Sequence, residues 1–232
     1  MLDIVVPVYN EAQNILKLFD EIRDEITTPK KVMVVYDYEE DTTLPVVINN
    51  KENYPFEITL VKNNIGRGVL NAIKVGMQTA TQEWILIMMA DSSDRLNVVD
   101  AMCSRMSEGY DLVCGSRYMR GGKQEGGPFL KSLFSRTAGI TLHLLTRIPT
   151  HDATNSFKLY RRSMLEKISI ESTGGFEIGL EITVKAYVAG YKISEIPSEW
   201  SDRQEGESNF HMWRWLPHYL HWYFYCIIKT WF

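Results

Sequence analysis

Apolar positions along the chain follow two alternating periods. Leu2–Val8, Lys31–Tyr36, Ile58–Val61, Trp84–Met89 and Asp111–Gly115 are short runs rich in Val, Ile, Leu and Met. Such runs mark strands buried on both faces. Between them, a 3.6-residue period predicts helices over Glu11–Ile26 (Ile15, Leu18, Phe19 and Ile22 on one side), Val69–Ala80 and Asn97–Ser107. Repeated alternation of this kind predicts an α/β domain with a mostly parallel sheet covered on both faces. Further on, Phe129–Leu145 and Phe176–Ala189 read as helices, and Ser156–Tyr160 and Lys192–Trp200 as strands. Arg120–Pro128 is glycine-rich and reads as a mobile loop, and Ser201–Asn209 as a polar loop. Phe210–Phe232 is an aromatic tail, in which Pro217 argues against one continuous helix. The predicted organisation is a domain over 1–209 followed by a tail over 210–232.

A parallel sheet binds ligands at the carboxyl ends of its strands. Here those ends carry Asn10 and Glu11, Asp37 and Asp41, Asp91 and Asp94, and Ser116 and Arg117. Asp91-Ser92-Ser93-Asp94 has two readings: carboxylates holding a divalent cation against phosphate oxygens, or a helix N-cap. Asp37 and Asp41 can accept from a base or a ribose, or form a solvated acidic loop. Asn64-Ile65-Gly66-Arg67-Gly68 lets backbone approach a nucleotide, with Arg67 meeting a phosphate. It lacks the spacing of the dinucleotide fingerprint, and a tight turn is the alternative. Arg117, with Lys131, Ser135 and Arg203 nearby, suits a phosphate, although Lys131 and Arg136 also fit the solvated face of a helix. His218 and His221 lack a partner Glu or Cys, and no Ser/His/Asp arrangement stands out.

Composition sharpens this picture. A chain of 232 residues suits one large domain, or one with a small appendage. Its net charge of −4 conceals a gradient: residues 1–110 hold 10 Lys/Arg against 17 Asp/Glu, while Cys114–Lys167 holds 10 basic and 3 acidic residues. The tail holds 10 of the 27 aromatic residues. An acidic front, a basic middle and an aromatic end therefore follow one another. Three cysteines without a CxxC pair point to a reducing compartment. Met1–Val6 lacks the features of a signal peptide. The longest apolar run of the tail, Trp222–Ile228, is far shorter than the roughly 20 residues of a bilayer span.

Val6-Pro7-Val8-Tyr9-Asn10-Glu11 resembles the opening motif of the family 2 glycosyltransferases. The likeness continues through Val34–Asp37 with Asp41 and Thr43, Asn64–Gly68, Met88–Asp91, Gly115–Tyr118, Asp152–Lys158, Glu195–Pro197 and Asp202-Arg203 with Gly206–Asn209. It is nearest to the dolichol-phosphate (polyprenol-phosphate) mannosyltransferase branch. The resemblance implies a GT-A fold, a Rossmann-like sheet flanked by helices, here with C-terminal amphipathic aromatic helices. It further implies a nucleotide diphosphate sugar donor and Mg²⁺ or Mn²⁺. Pro7, Tyr9, Glu11, Asp37, Asp41, Gly66 and Arg67 would meet the nucleotide. Asp91 would be the second Asp of the D-x-D metal motif. The first is Met89 here, and Asp94 would stand in for it as a metal ligand. Arg117, Lys131, Ser135 and Arg203 would meet the acceptor phosphate and donor diphosphate, with Asp91, Arg117 and Arg203 catalytic. Other departures are Tyr36-Asp37 for Asp-Asp, Asn155-Ser156-Phe157-Lys158 for Ser-Gly-Phe-Arg, and Lys131 for an Arg.

The expected reaction is inverting transfer of a hexose to a polyprenyl-phosphate or related lipid-linked acceptor. A phosphate is already ionised near neutral pH and needs no general base. A sugar hydroxyl would need one, with Asp152, Glu177 or Asp202 as candidates. Because of Met89, a non-catalytic nucleotide-sugar-binding relative is a further alternative. The expected partners are the donor, the lipid phosphate and a membrane surface, with no nucleic acid. The expected location is cytoplasmic, peripheral at the inner face of the membrane. Tail residues Trp213, Trp215 and Trp222 either meet lipid or cover the sheet as core.

Overall fold

The computed structural model describes residues 1–202 and 212–232, the side chains of Met212 and Trp213 excepted. Strand β1 (Leu2–Pro7) is buried along its whole length. Leu2, Ile4 and Val6 enter a core cluster on one face of the sheet and Val5 the cluster on the other. This two-sided burial explains the unbroken apolar run. Helix α1 (Ile15–Glu25) buries Ile15, Leu18, Phe19 and Ile22. Strand β2 (Lys30–Tyr36), helix α2 (Thr43–Asn50), strand β3 (Glu57–Lys62), helix α3 (Val69–Thr79), strand β4 (Trp84–Ile87), helix α4 (Val99–Ser107) and strand β5 (Leu112–Ser116) complete the first half. Helix α2 is an addition to the predicted pattern. Its apolar positions are few, and Pro45 is tolerated because it stands in the first turn, where N–H groups lack helical partners anyway.

The second half holds strand β6 (Lys123–Glu125), helix α5 (Phe129–Thr146), strand β7 (Lys158–Arg161), the short helix α6 (Arg162–Leu165), helix α7 (Ile178–Val188), strands β8 (Ile193–Pro197) and β9 (Glu199–Ser201), and helix α8 (Met212–Trp231). The main sheet runs β3-β2-β1-β4-β7-β5-β8, parallel except for β7, which is antiparallel to both neighbours. The carboxyl ends of β1, β2, β4 and β5 therefore share one edge. The loop before β7 reaches that edge from the opposite chain direction.

Three expectations change. The predicted strand Lys192–Trp200 is two strands, and β9 leaves the main sheet to pair in parallel with β6. The glycine-rich stretch expected as a mobile loop thus contains a strand. The tail is one helix rather than several: Pro217 lies inside α8. It sits near the N-terminal end, so a single internal hydrogen bond is forfeited, and packing on α5 and α7 holds the helix. Within α8, Trp222 and Cys226 are buried with Leu142, Ile148, Ala153, Leu180 and Val184 in a third cluster. Leu220, Phe224, Ile228 and Trp231 are exposed. The core reading therefore holds for Trp222, while the opposite side of the helix presents apolar side chains outward. Among the described residues, no helix is long and apolar enough to cross a membrane.

Candidate active site

The strand ends open into one cavity of about 980 Å³. Two of its turns carry non-glycine residues at positive φ, Asn10 at 56° after β1 and Ser92 at 51° after β4. Such strain gathers where backbone is shaped for a ligand. On the β1–β2 side, Pro7, Tyr9, Glu11, Asp37 and Arg67 line the cavity. Tyr9 is 56% exposed at its mouth and meets Tyr38 edge-on at 5.8 Å. The Arg67 guanidinium lies 5.4 Å from the Tyr38 ring centre. Asp37 accepts from Asn63 Nδ2 at 2.7 Å and from the Gly68 N–H at 2.7 Å. Gly68 stands at φ 111°, a conformation that L side chains rarely adopt. The Asn64–Gly68 turn is therefore tied to the end of β2.

Asp41 and Gly66 do not line the cavity. Asp41 is buried, and its carboxylate accepts from the N–H groups of Asn10 and Thr43 at 3.1 and 2.8 Å. It joins the turn after β1 to the start of α2. Its carboxylate, expected at the nucleotide, is here engaged by backbone donors.

Beyond β4, Asp91 and Asp94 both line the cavity, with Met89 beside them. Asp91 accepts the Ser93 N–H at 3.2 Å, a local turn. Asp94 is buried, and its Oδ1 has no hydrogen-bond partner among the described residues. Burial, and secondly the charge of Asp91, raise its pKa to about 7. The segment is held from outside: Asp94 bridges to Trp200, the Arg95 N–H donates to the Glu199 carbonyl and the Ser201 N–H to the Ser93 carbonyl. This orphaned carboxylate oxygen beside a second carboxylate fits a hard divalent cation, which takes one or two carboxylates and completes its shell with phosphate oxygens and water. Among the described residues, no group of three or more His, Cys, Asp or Glu side chains could hold a metal alone.

At the end of β5, Arg117 donates through Nε to Asp152 Oδ2 at 2.7 Å and through Nη2 to Asp152 Oδ1 at 3.0 Å and Ser135 Oγ at 3.1 Å. Burial works against its charge, but the Asp152 carboxylate outweighs it and holds the guanidinium protonated. Ser135 also meets Tyr118 at 3.0 Å and Thr154 at 2.7 Å, and Gln124 of β6 joins Tyr118 to Ser132. Lys131 and Ser135 line the cavity from α5. Arg203 and the Gly206–Asn209 motif lie outside the described residues.

Sequence reading assigns no roles to Tyr118, Gln124 or Thr154. The only signal for them is that Tyr118 and Thr154 fall inside quoted motif segments. Of the three candidate bases, Asp152 is paired with Arg117, and Glu177 accepts the N–H groups of Gly174 and Gly175. Asp202 lines the cavity. The same cavity takes an aromatic and aliphatic lining from Phe134 and Leu142 of α5, Phe176 just before α7, Leu180 of α7, and Trp215, Leu216 and Tyr219 of α8, with Thr137, Thr141 and Tyr223 among them.

A Rossmann-like sheet with carboxylates and a guanidinium gathered over its strand ends defines the GT-A class of glycosyltransferase folds. The chain belongs to glycosyl transferase family 2, whose family model matches residues 3–169. It is 27% identical over 210 residues to the dolichol-phosphate mannosyltransferase of Pyrococcus furiosus, covering 89% of this chain and 58% of that protein. The chain thus spans little more than half the length of that relative. It is 24% identical over 210 residues to the polyprenol monophosphomannose synthase of Mycolicibacterium smegmatis, covering 88% and 79% respectively. In structure it is similar to the glucosyl-3-phosphoglycerate synthase of Mycobacterium tuberculosis, solved with Mn²⁺, UDP and glucosyl-3-phosphoglycerate. That likeness has a TM-score of 0.69 at 13% identity, over 99% of this chain and 78% of that one, and shows the fold alone.

Proposed function

We propose that the protein transfers a hexose, with inversion, from a nucleotide diphosphate sugar to a polyprenyl phosphate or related lipid-linked phosphate. The observation that carries this reading is the mixed lining of one cavity: carboxylates and cations from the strand ends and α5, and aromatic and aliphatic side chains from α5, α7 and α8. A ligand pair that is charged at the reacting end and greasy beyond it matches both kinds of lining. The names of the curated relatives support the same acceptor class.

In this reading Pro7, Tyr9, Glu11, Asp37 and Arg67 bind the nucleotide. Asp91 and Asp94 hold Mg²⁺ or Mn²⁺, which supplies positive charge to the leaving diphosphate when bound. Arg117, Lys131 and Ser135 meet the acceptor phosphate and donor diphosphate, a role the family resemblance also gives to Arg203. The acceptor's oxygen forms its bond to the anomeric carbon as the bond from that carbon to the diphosphate breaks. No base is required, in keeping with the engagement of Asp152 and Glu177. Exposed Phe129, Leu130 and Leu133 of α5, with Phe224 and Ile228 of α8, support peripheral attachment to a membrane.

The test is incubation with radiolabelled UDP- and GDP-hexoses, polyprenyl phosphate and Mn²⁺ or Mg²⁺. Label is expected in the organic phase. Label found only in water-soluble product refutes the lipid-phosphate acceptor.

A further inference from the structure

Lys158, at the start of β7, is completely inaccessible to solvent. Among the described residues it makes no ion pair with a carboxylate; its ammonium donates instead to the carbonyls of Ala153, at 2.9 Å, and Asn155. Neither carbonyl accepts a backbone N–H among the described residues. Burial pushes the lysine pKa down, because an ammonium held away from water is disfavoured. Room for it is made on the other side by Gly179 of α7, where a Cβ would stand 3.4 Å from Nζ and 3.3 Å from the Asn155 carbonyl oxygen.

The loop under which this ammonium sits carries much of the candidate site. Asp152 fixes Arg117 through three hydrogen bonds, one of them from the Arg117 N–H at 3.1 Å. Thr154 ties Ser135, and Asn155 Nδ2 donates to the Gly115 carbonyl at 3.0 Å. The loop's own backbone bond, from the Asn155 N–H to the Asp152 carbonyl, is long at 3.4 Å. Two carbonyls pinned by one buried ammonium therefore set the height at which Asp152 presents itself to Arg117.

We propose that Lys158 is a positioning residue for transfer: it clamps residues 152–156 and, through Asp152, aims Arg117 at the reacting phosphates. This rests on the sugar-transfer reading above. A purely structural role makes a different prediction. Methionine matches the lysine stem in length and packs without a charge to desolvate, but it leaves the Ala153 and Asn155 carbonyls without a donor.

Lys158→Met and Lys158→Arg in the full chain separate the two, read by amide hydrogen exchange at Arg117 and Asn155, by nucleotide affinity and by kcat. In Lys158→Met, exchange at both amides is expected to quicken and kcat to fall about tenfold or more, the scale set by small misplacements of catalytic groups. Nucleotide affinity stays within about twofold, because only the loop under Arg117 is disturbed. Lys158→Arg, which keeps two donors and the charge, restores both exchange and kcat. Unchanged exchange and kcat in folded Lys158→Met overturn the proposal. Should that variant not fold, Lys158→Gln, neutral and one atom shorter so that it cannot reach both carbonyls, takes its place, and wild-type exchange and kcat there overturn the proposal equally. If the wild-type protein itself transfers no sugar from any donor, the functional reading fails, and the exchange measurement alone decides the clamp.

Discussion

Asp94 answers two opposed demands with one side chain. Its ordinary pKa of 3.8 is raised to about 7 by burial and by Asp91. The folded state therefore holds that proton more tightly than the unfolded chain. Stability from this group is full below about pH 4, falls as pH rises, and is lowest above 7. Asp94→Asn removes the buried charge, so it should raise Tm at pH 8 but scarcely at pH 3, by about 2–4 °C for each kcal/mol relieved. Equal Tm changes at the two pH values would refute the assignment. The same substitution should weaken Mn²⁺ binding in the presence of nucleotide, and in the wild type that binding should strengthen through pH 7 as the proton is displaced. Asp152 makes the contrary case. It is buried against a guanidinium, and Asp152→Ala, by stranding Arg117, should cost about 3–5 kcal/mol in denaturant unfolding. Asp41, Asp94 and Asp152 all lie near the sheet's carboxyl edge, and residue type alone does not distinguish Asp94, which lines the cleft, from Asp41, bonded to backbone N–H groups, and Asp152, bonded to Arg117. That difference lies in side-chain direction, which periodicity does not encode.

At the scale of elements, α8 divides its aromatic residues between two sides. Trp222, packed among Leu180, Val184 and Cys226, belongs to the core, and Trp222→Ala should cost about 3–5 kcal/mol. Phe224 and Ile228, four residues apart and each 54% exposed, belong to the surface. Replacing both with Glu should leave Tm nearly unchanged while abolishing cosedimentation with anionic vesicles; persistent binding would refute a membrane-facing α8. The strands β1 to β5 and helices α1, α3 and α4 were legible because each buries a regular stripe or an unbroken run. Less legible were α2, too short for a period, and the β6–β9 pair, made by three-residue segments from distant parts of the chain. The direction of β7 was hidden for another reason: parallel and antiparallel strands share one apolar pattern when both faces are covered. That reversal brings Asp152, Thr154 and Asn155 to the site.

Across the whole molecule, the charge gradient of the sequence is gathered into the lining of one cavity. The acidic front supplies Asp37, Asp91 and Asp94, the basic middle supplies Arg117 and Lys131, and the tail supplies Trp215, Leu216 and Tyr219. Ten of the twelve described site candidates line this space, Asp41 and Gly66 being the exceptions. Sequence order thus placed these candidates at the strand ends, while the apolar lining of the cavity arose only when α5, α7 and α8 packed together. That lining makes a quantitative demand on the acceptor. Each methylene that enters an apolar wall contributes about 0.8 kcal/mol, close to a fourfold gain in binding, until the wall is filled. In detergent-free assays with alkyl and prenyl phosphates of increasing length, KM should fall steeply over the first carbons and then level off, while kcat stays flat because the phosphate meets the same cations throughout. A KM indifferent to chain length would mean that the apolar lining takes no part in acceptor binding, and would return the reading to a water-soluble phosphate.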